Sequence, residues 1–153
     1  MTVYLVRHAK AGSRRNWSGD DVQRPLSRPG KRQASELAEA LRHAGISRIV
    51  SSPYVRCVQT VEPLAGVVGI PVDVSDALAE GAPVSESVAL FEKLAREDVA
   101  LCSHGDVIGD LLMHLADHGV RLDDFRIEKG SVWVLECADG HVVEARYQPP
   151  TDG

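Results

Sequence analysis

Apolar positions in this chain come as short runs and helical stripes that alternate. Val3 to His8 (VYLVRH) is a brief apolar run and predicts a buried strand. Ala9 to Arg24 is polar, rich in Arg, Gly, Ser and Asp, and reads as a long loop; a loop of that length in a small domain commonly carries function. Ala34, Leu37, Ala38 and Leu41 then recur at i, i+3, i+4 and i+7, which predicts a helix stopped by Gly45. Arg48 to Ser51 gives a second strand. Pro53 opens the next helix, with Ser52 as its cap and Val58, Val61, Ala65 and Val68 on its inner face. Val72 and Val74 mark a third strand, and Val84, Val88, Phe91 and Leu94 a third helical stripe. Val99 to Ser103 (VALCS) is a fourth buried strand, followed by the stripe Val107, Ile108, Leu111, Leu112 and Leu115. Ser131 to Cys137 and His141 to Tyr147 flank a turn at Ala138, Asp139 and Gly140, as in an antiparallel hairpin.

Strand–helix alternation ending in a hairpin predicts a three-layer α/β/α sandwich. Its sheet is mostly parallel, with an antiparallel C-terminal hairpin at one edge. The 153 residues suffice for one domain with a real core, here residues 1–147. Gln148 to Gly153 (QPPTDG) reads as an untied, flexible tail, because two prolines and a polar end do not extend a strand.

Composition narrows the function. A formal charge of −5 disfavours general nucleic-acid binding, which runs on an excess of Lys and Arg. No apolar run approaches the roughly 20 residues of a membrane span. Arg7 and His8 fall where a signal peptide keeps its apolar stretch. Cys57, Cys102 and Cys137 are odd in number and far apart, with no CxxC pair. The expectation is a cytoplasmic protein without disulfides, structural zinc or a resident metal or cofactor. Charge is also unevenly spread: Met1 to Arg32 carries +6 and the remainder −11. That partition suits a small anionic substrate approached from the N-terminal segment and repels extended polyanions.

In an open parallel sheet, ligands bind beyond the carboxyl ends of the strands. Arg7 and His8 follow the first strand. Arg56 lies in the first helical turn after the second, Glu80 follows the third, and Ser103, His104 and Gly105 follow the fourth. Two histidines, two arginines and a carboxylate therefore map to one rim, although His8 and His104 are 96 residues apart. This set suits phosphoryl transfer. A neutral imidazole is a competent nucleophile, and flanking guanidiniums keep it neutral. Arginine meets phosphate oxygens bidentately, a second histidine can donate to one, and a carboxylic acid can protonate the departing oxygen. Lys10 and Arg14, close to His8 in the loop, are candidate contacts to a phosphate or polyphosphate. Arg7 and His8 can share a site only if the strand ends between them, since strand neighbours face opposite ways.

LVRHAKA, SSPYVRCVQT and SHGD, in this order and at these strand ends, resemble the motif series of the histidine phosphatase superfamily, with the phosphoglycerate-mutase-like fold. The RHA opening, the small size and RPLSRPG resemble SixA-type phosphohistidine phosphatases. The stretch RHAKAGSRRNWSGDDVQRPLSRPG is similar to the phosphatase domain fused behind some actinobacterial MutT-type Nudix hydrolases, whose Nudix half is absent here. The resemblance implies that His8 forms a phosphohistidine intermediate, that Arg7, Arg56 and His104 make the phosphate pocket, and that Glu80 is the acid, with Asp76 a rival. It implies a metal-independent phosphatase. The activity it implies is SixA-like, on a phosphorylated small molecule, a nucleotide or a phosphohistidine protein; the alternatives are a nucleotide-directed phosphatase related to the Nudix-fused domain and a non-catalytic phospholigand-binding module. The family's early asparagine has no counterpart at the usual offset; Asn16 is assigned no role.

Other features have plainer readings. His114 and His118 have metal-compatible spacing but lie off the centre of their helix's apolar stripe, and read as solvated side chains. Cys57 lacks the arginine that a thiol phosphatase places shortly after its cysteine, and reads as a buried spectator. Trp17 reads as a loop anchor into the core, with base stacking as the second possibility.

Overall fold

The computed structural model describes residues 1–151. Its element order is β1 (Thr2–Arg7), α1 (Arg28–Leu41), β2 (Arg48–Ser51), α2 (Val55–Val68), β3 (Val72–Val74), α3 (Val84–Leu94), β4 (Val99–Ser103), α4 (Gly105–Asp117), β5 (Val132–Ala138) and β6 (His141–Gln148). Two short 3-10 turns, Asp21–Gln23 and Asp76–Leu78, sit in the loops after β1 and β3. The six strands form one sheet in the order β3-β2-β4-β1-β5-β6. Pairing is parallel from β3 through β1 and antiparallel for β1–β5 and β5–β6.

Strand residues alternate between two cores, which is why the central strands read as continuous apolar runs. Val3, Leu5, Leu101, Trp133 and Leu135 pack on one face with Val88 and Phe91 of α3 and Ile108 and Leu112 of α4. Val6, Ile49, Ala100, Cys102 and Val134 pack on the other with Leu37 and Leu41 of α1 and Val61 and Leu64 of α2. Two helices on each face give the expected three layers. The hairpin turn carries Asp139 at φ 52° and Gly140 at φ 80°, both left-handed, as a two-residue turn between twisted strands demands.

Three local expectations change. Ser52 does not cap α2: Tyr54 occupies the cap position, and Ser52 turns its hydroxyl inward. Strand β6 extends to Gln148, which pairs with Val132, so the ladder reaches one residue into the segment read as a tail. Gln33 Nε2 also donates to the carbonyl of Thr151 at 3.1 Å. Asp152 and Gly153 lie outside the described residues. Trp17 is 37% exposed rather than anchored in the core; its indole N–H closes its own loop on the Asp20 carbonyl at 2.9 Å.

Helix α1 is docked onto the segment that follows β1. Ser27 caps it, its hydroxyl oxygen accepting from Gly30 N at 3.2 Å while its O–H donates to the Lys10 carbonyl at 3.0 Å. The approach is so close that a Cβ on Gly30 would lie 1.8 Å from the Lys10 carbonyl oxygen. Gly30→Ala must push the helix start off the loop. It should destabilise the protein by about 2–4 kcal/mol, read as a lower urea midpoint at unchanged slope.

Candidate active site

Strand β1 ends at Arg7 because the antiparallel and parallel neighbours stop pairing in register there. Arg7 N donates to Ser131 O at 3.1 Å, His8 N to Ser103 O at 3.0 Å, and Gly130 N to the carbonyls of both Arg7 and His8. The pleat breaks, so Arg7 and His8 line the same cavity of about 370 Å³. Parallel pairing of β1 with β4 sets Arg7 opposite Ser103, and the next residues of the two strands become neighbours. The imidazoles of His8 and His104 lie with ring centroids 5.5 Å apart at 65°.

Of the residues expected from sequence, Arg7, His8, Arg14, Arg56, Glu80 and His104 all border this cavity. Arg56 and His104 sit at the N-terminal ends of α2 and α4, where free backbone N–H groups favour anions. Lys10 does not border it. Past the break the chain turns away: Lys10 N donates to Gln33 Oε1 and its carbonyl accepts from Ser27, so the exposed side chain borders a separate cleft with Ser27, Gln33 and Thr151. Asp76 opens the 3-10 turn before Glu80, is exposed, and is not among the lining residues.

Further lining residues escaped the sequence reading: Arg24, Asp106 and Lys129. Arg24 is 7% exposed and donates to Asp21 Oδ1 at 2.9 Å; Asp21 in turn binds the buried Arg56 guanidinium through Oδ2 at 3.1 Å. The three-residue spacing of Asp21 and Arg24 was a usable signal in an otherwise polar loop. Asp106, inside the SHGD string, accepts from Gly81 N at 2.8 Å and so ties the Glu80 turn to α4. Lys129, on the irregular segment before β5, had no pattern to betray it. Cys57 is buried as expected, but its Sγ lies 3.5 Å from His104 Nε2 and so contacts the site.

His8 is held as a free base. Its pKa is pushed down to about 3, chiefly by burial and further by His104, Arg56 and Arg7, against the opposing hydrogen bond to Ala9. Burial outweighs the guanidiniums that the sequence suggested as the cause. His8 Nδ1 sits 2.8 Å from the Ala9 carbonyl, an acceptor only, so Nδ1 carries the proton and Nε2 keeps a lone pair. Asp21 is held below the usual carboxylate range, first by its hydrogen bond from Arg24 and then by Arg56. Asp21 is therefore no proton donor. Glu80 Oε1 lies 3.5 Å from Arg14 and 3.6 Å from Arg56. Burial, then the neighbouring Arg7, Arg24, Arg56 and Arg14, lowers the Lys129 pKa.

Arg7 donates through one terminal nitrogen to the Ile127 carbonyl, while its Nε, Arg56 Nε and His104 Nδ1 are buried with no partner among the described protein groups. Buried donors are normally satisfied, so three such atoms on residues lining one cavity mark a site for an anion. A tetrahedral oxyanion beside His8 Nε2 is the species this arrangement accepts.

Two measurements follow from this geometry. An unfolded His8 binds a proton near pH 6.5 and the folded one only near 3. Between these values the unfolded chain binds more protons, so stability falls as pH falls, by at most about 1.4 kcal/mol per pH unit from this residue. Urea titrations of wild type and His8→Gln should differ in that slope between about pH 6 and 4, the variant being flatter. A Cβ on Gly105 would stand 3.0 Å from the Arg7 guanidinium carbon. Gly105→Ala should displace that group and lower kcat/KM about tenfold or more in steady-state assays, with little change in unfolding midpoint.

Comparison with known proteins identifies the family. Residues 3–83 match the family model described as histidine phosphatase superfamily, branch 1. The chain is 34% identical over 157 aligned residues to an 8-oxo-(d)GTP phosphatase of Mycolicibacterium smegmatis, covering 99% of this chain and 49% of that protein. It thus spans half or less of the length of the curated relatives it matches. In fold it is similar to the protein histidine phosphatase SixA complexed with tungstate (TM-score 0.78, 21% identity, 98% and 96% of the two chains covered). It is likewise similar to a mycobacterial glucosyl-3-phosphoglycerate phosphatase complexed with VO3 (TM-score 0.75, 19% identity, 97% of each chain). With more than half of its length matched by the family model and the two imidazoles and two guanidiniums gathered at one strand rim, the chain belongs to the histidine phosphatase superfamily.

Proposed function

We propose that the protein is a phosphatase that works through a phosphohistidine on His8 Nε2. The observation that carries this reading is a buried, neutral imidazole with a free Nε2 lone pair, facing a second imidazole at 5.5 Å in a cavity lined by Arg7 and Arg56. Nε2 bonds to phosphorus as the bond from phosphorus to the leaving oxygen breaks. Arg7, Arg56 and His104 hold the equatorial oxygens, whose charge these donors stabilise. Glu80 gives its proton to the leaving oxygen. A water then attacks phosphorus, Glu80 takes a proton from that water, and the P–N bond breaks to release inorganic phosphate and His8. Engagement of Arg14 and Arg56 by the substrate phosphate frees Glu80 from the two guanidiniums it faces. Fixed guanidiniums supply the charge stabilisation that a metal ion provides in other phosphatases.

For the substrate we propose a nucleoside di- or triphosphate. Arg14, Arg24 and Lys129 ring the cavity in addition to the groups that hold the transferred phosphate, and such surplus cations fit a second phosphate. The M. smegmatis relative, aligned over nearly all of this chain, bears a name that points to a damaged guanine nucleotide. A phosphohistidine protein is the competing substrate, supported by likeness of fold alone.

A panel of nucleotides, sugar phosphates and phosphohistidine peptide, assayed with excess chelator, tests both levels. Turnover should persist with chelator and be fastest on a nucleotide; preference for phosphohistidine peptide overturns the substrate, and loss of turnover with chelator overturns the mechanism. Label from a terminally radiolabelled nucleotide should remain on wild type after alkaline denaturation and be absent from His8→Ala. Glu80→Gln should slow substrates with poor leaving groups at least tenfold more than aryl phosphates, which need little protonation.

A further inference from the structure

We propose that Ser52 is a positioning residue that sets the tautomer of His104 and thereby aims a hydrogen-bond donor at the substrate phosphate; the catalytic consequence rests on the phosphatase reading, the tautomer does not. Ser52 is fully buried, and its Oγ lies 2.8 Å from His104 Nε2. Backbone contacts hold it there. Its N–H donates to the Cys102 carbonyl at 2.9 Å, and its carbonyl accepts from the Ser51 hydroxyl at 2.8 Å.

A hydroxyl has one proton to give. Tyr54 N donates to Ser52 Oγ at 3.2 Å, and among the described residues the acceptor within hydrogen-bond reach of the buried hydroxyl proton is His104 Nε2 at 2.8 Å. Cys57 Sγ also faces this nitrogen, at the longer distance of 3.5 Å. Nε2 is therefore an acceptor, and the proton of the neutral ring resides on Nδ1. Nδ1 is the nitrogen that is buried without a partner among the described residues, on a residue lining the cavity beside His8. The two imidazoles thus take the same tautomer for opposite uses. In His8 the Ala9 carbonyl accepts from Nδ1–H and leaves Nε2 with the lone pair to attack; in His104 the Ser52 hydroxyl donates to Nε2 and leaves Nδ1–H to donate. Without Ser52 no hydroxyl proton holds Nε2 as an acceptor, and Cys57 Sγ is left to accept from an Nε2–H. A lone pair on Nδ1 would then meet a phosphoryl oxygen and repel it.

The wild-type protein, with its histidines labelled with 15N, gives the first reading at about pH 8, where an ordinary imidazole is neutral. His104 should show Nδ1 protonated and Nε2 unprotonated; an Nε2–H or imidazolium signature overturns the proposal whether or not the protein is a phosphatase. In Ser52→Ala the His104 signals should move toward the Nε2–H form, with the urea midpoint measured alongside. The same variant should lose about tenfold to a hundredfold in kcat/KM and bind vanadate correspondingly more weakly, as removal of one oxyanion donor predicts. Ser52→Thr, which keeps the hydroxyl, should retain the wild-type tautomer and lose less. Unchanged tautomer and turnover in Ser52→Ala also overturn the proposal.

Discussion

The architecture of the site depends on the parallel pairing of β1 with β4. Their register sets Arg7 against Ser103, so two segments remote in sequence stop pairing at the same level and release His8 and His104 side by side. Everything else at the rim serves that coincidence. The helices that follow β2 and β4 place the Arg56 guanidinium and the free amides of α4 around the imidazoles. Gly130, reaching back from the segment before β5, pins the carbonyls of Arg7 and His8 and keeps the break in place.

The cost of this arrangement is the burial of positive charge. Arg56 is 1% exposed, and a guanidinium so deep needs partners. The protein supplies part of the compensation through Asp21, whose backbone carbonyl and carboxylate both receive hydrogen bonds from Arg56. On the proposed function, the remainder falls to an anionic ligand. A fully neutralised pocket would be more stable and would attract an anion less, so incomplete pairing of Arg7, Arg56 and His104 is where stability and the proposed binding trade against each other.

Much of the fold was legible because its signals were periodic. Both faces of β1, β4 and β5 are buried, and the helical stripes are unbroken, so strands and helices announced themselves. The strand-end rule then brought Arg7, His8, Arg56, Glu80 and His104 together from residues scattered along the chain. Features that depend on tertiary contact were not legible. Lys129 comes from a segment without periodicity, and Lys10 faces another cleft because Gln33 and Ser27 hold its backbone. Ser52 read as a helix cap because serine before proline has that local meaning; the approach of His104 from another strand gave its hydroxyl a different partner.

The loop after β1 is closed at its base by a single bridge between Ala11 and Leu26, with Gly12 N donating to the Pro25 carbonyl. Its tip delivers Arg14 to the cavity and Asp21 to the Arg56 guanidinium behind it, without contributing a strand to the sheet. The loop is thus an exchangeable cassette only in the part of its tip that does not hold Arg56. Grafting a different tip that keeps Asp21 between the same two anchor residues would reshape the mouth of the cavity, while the imidazole pair beneath stays where the strands put it.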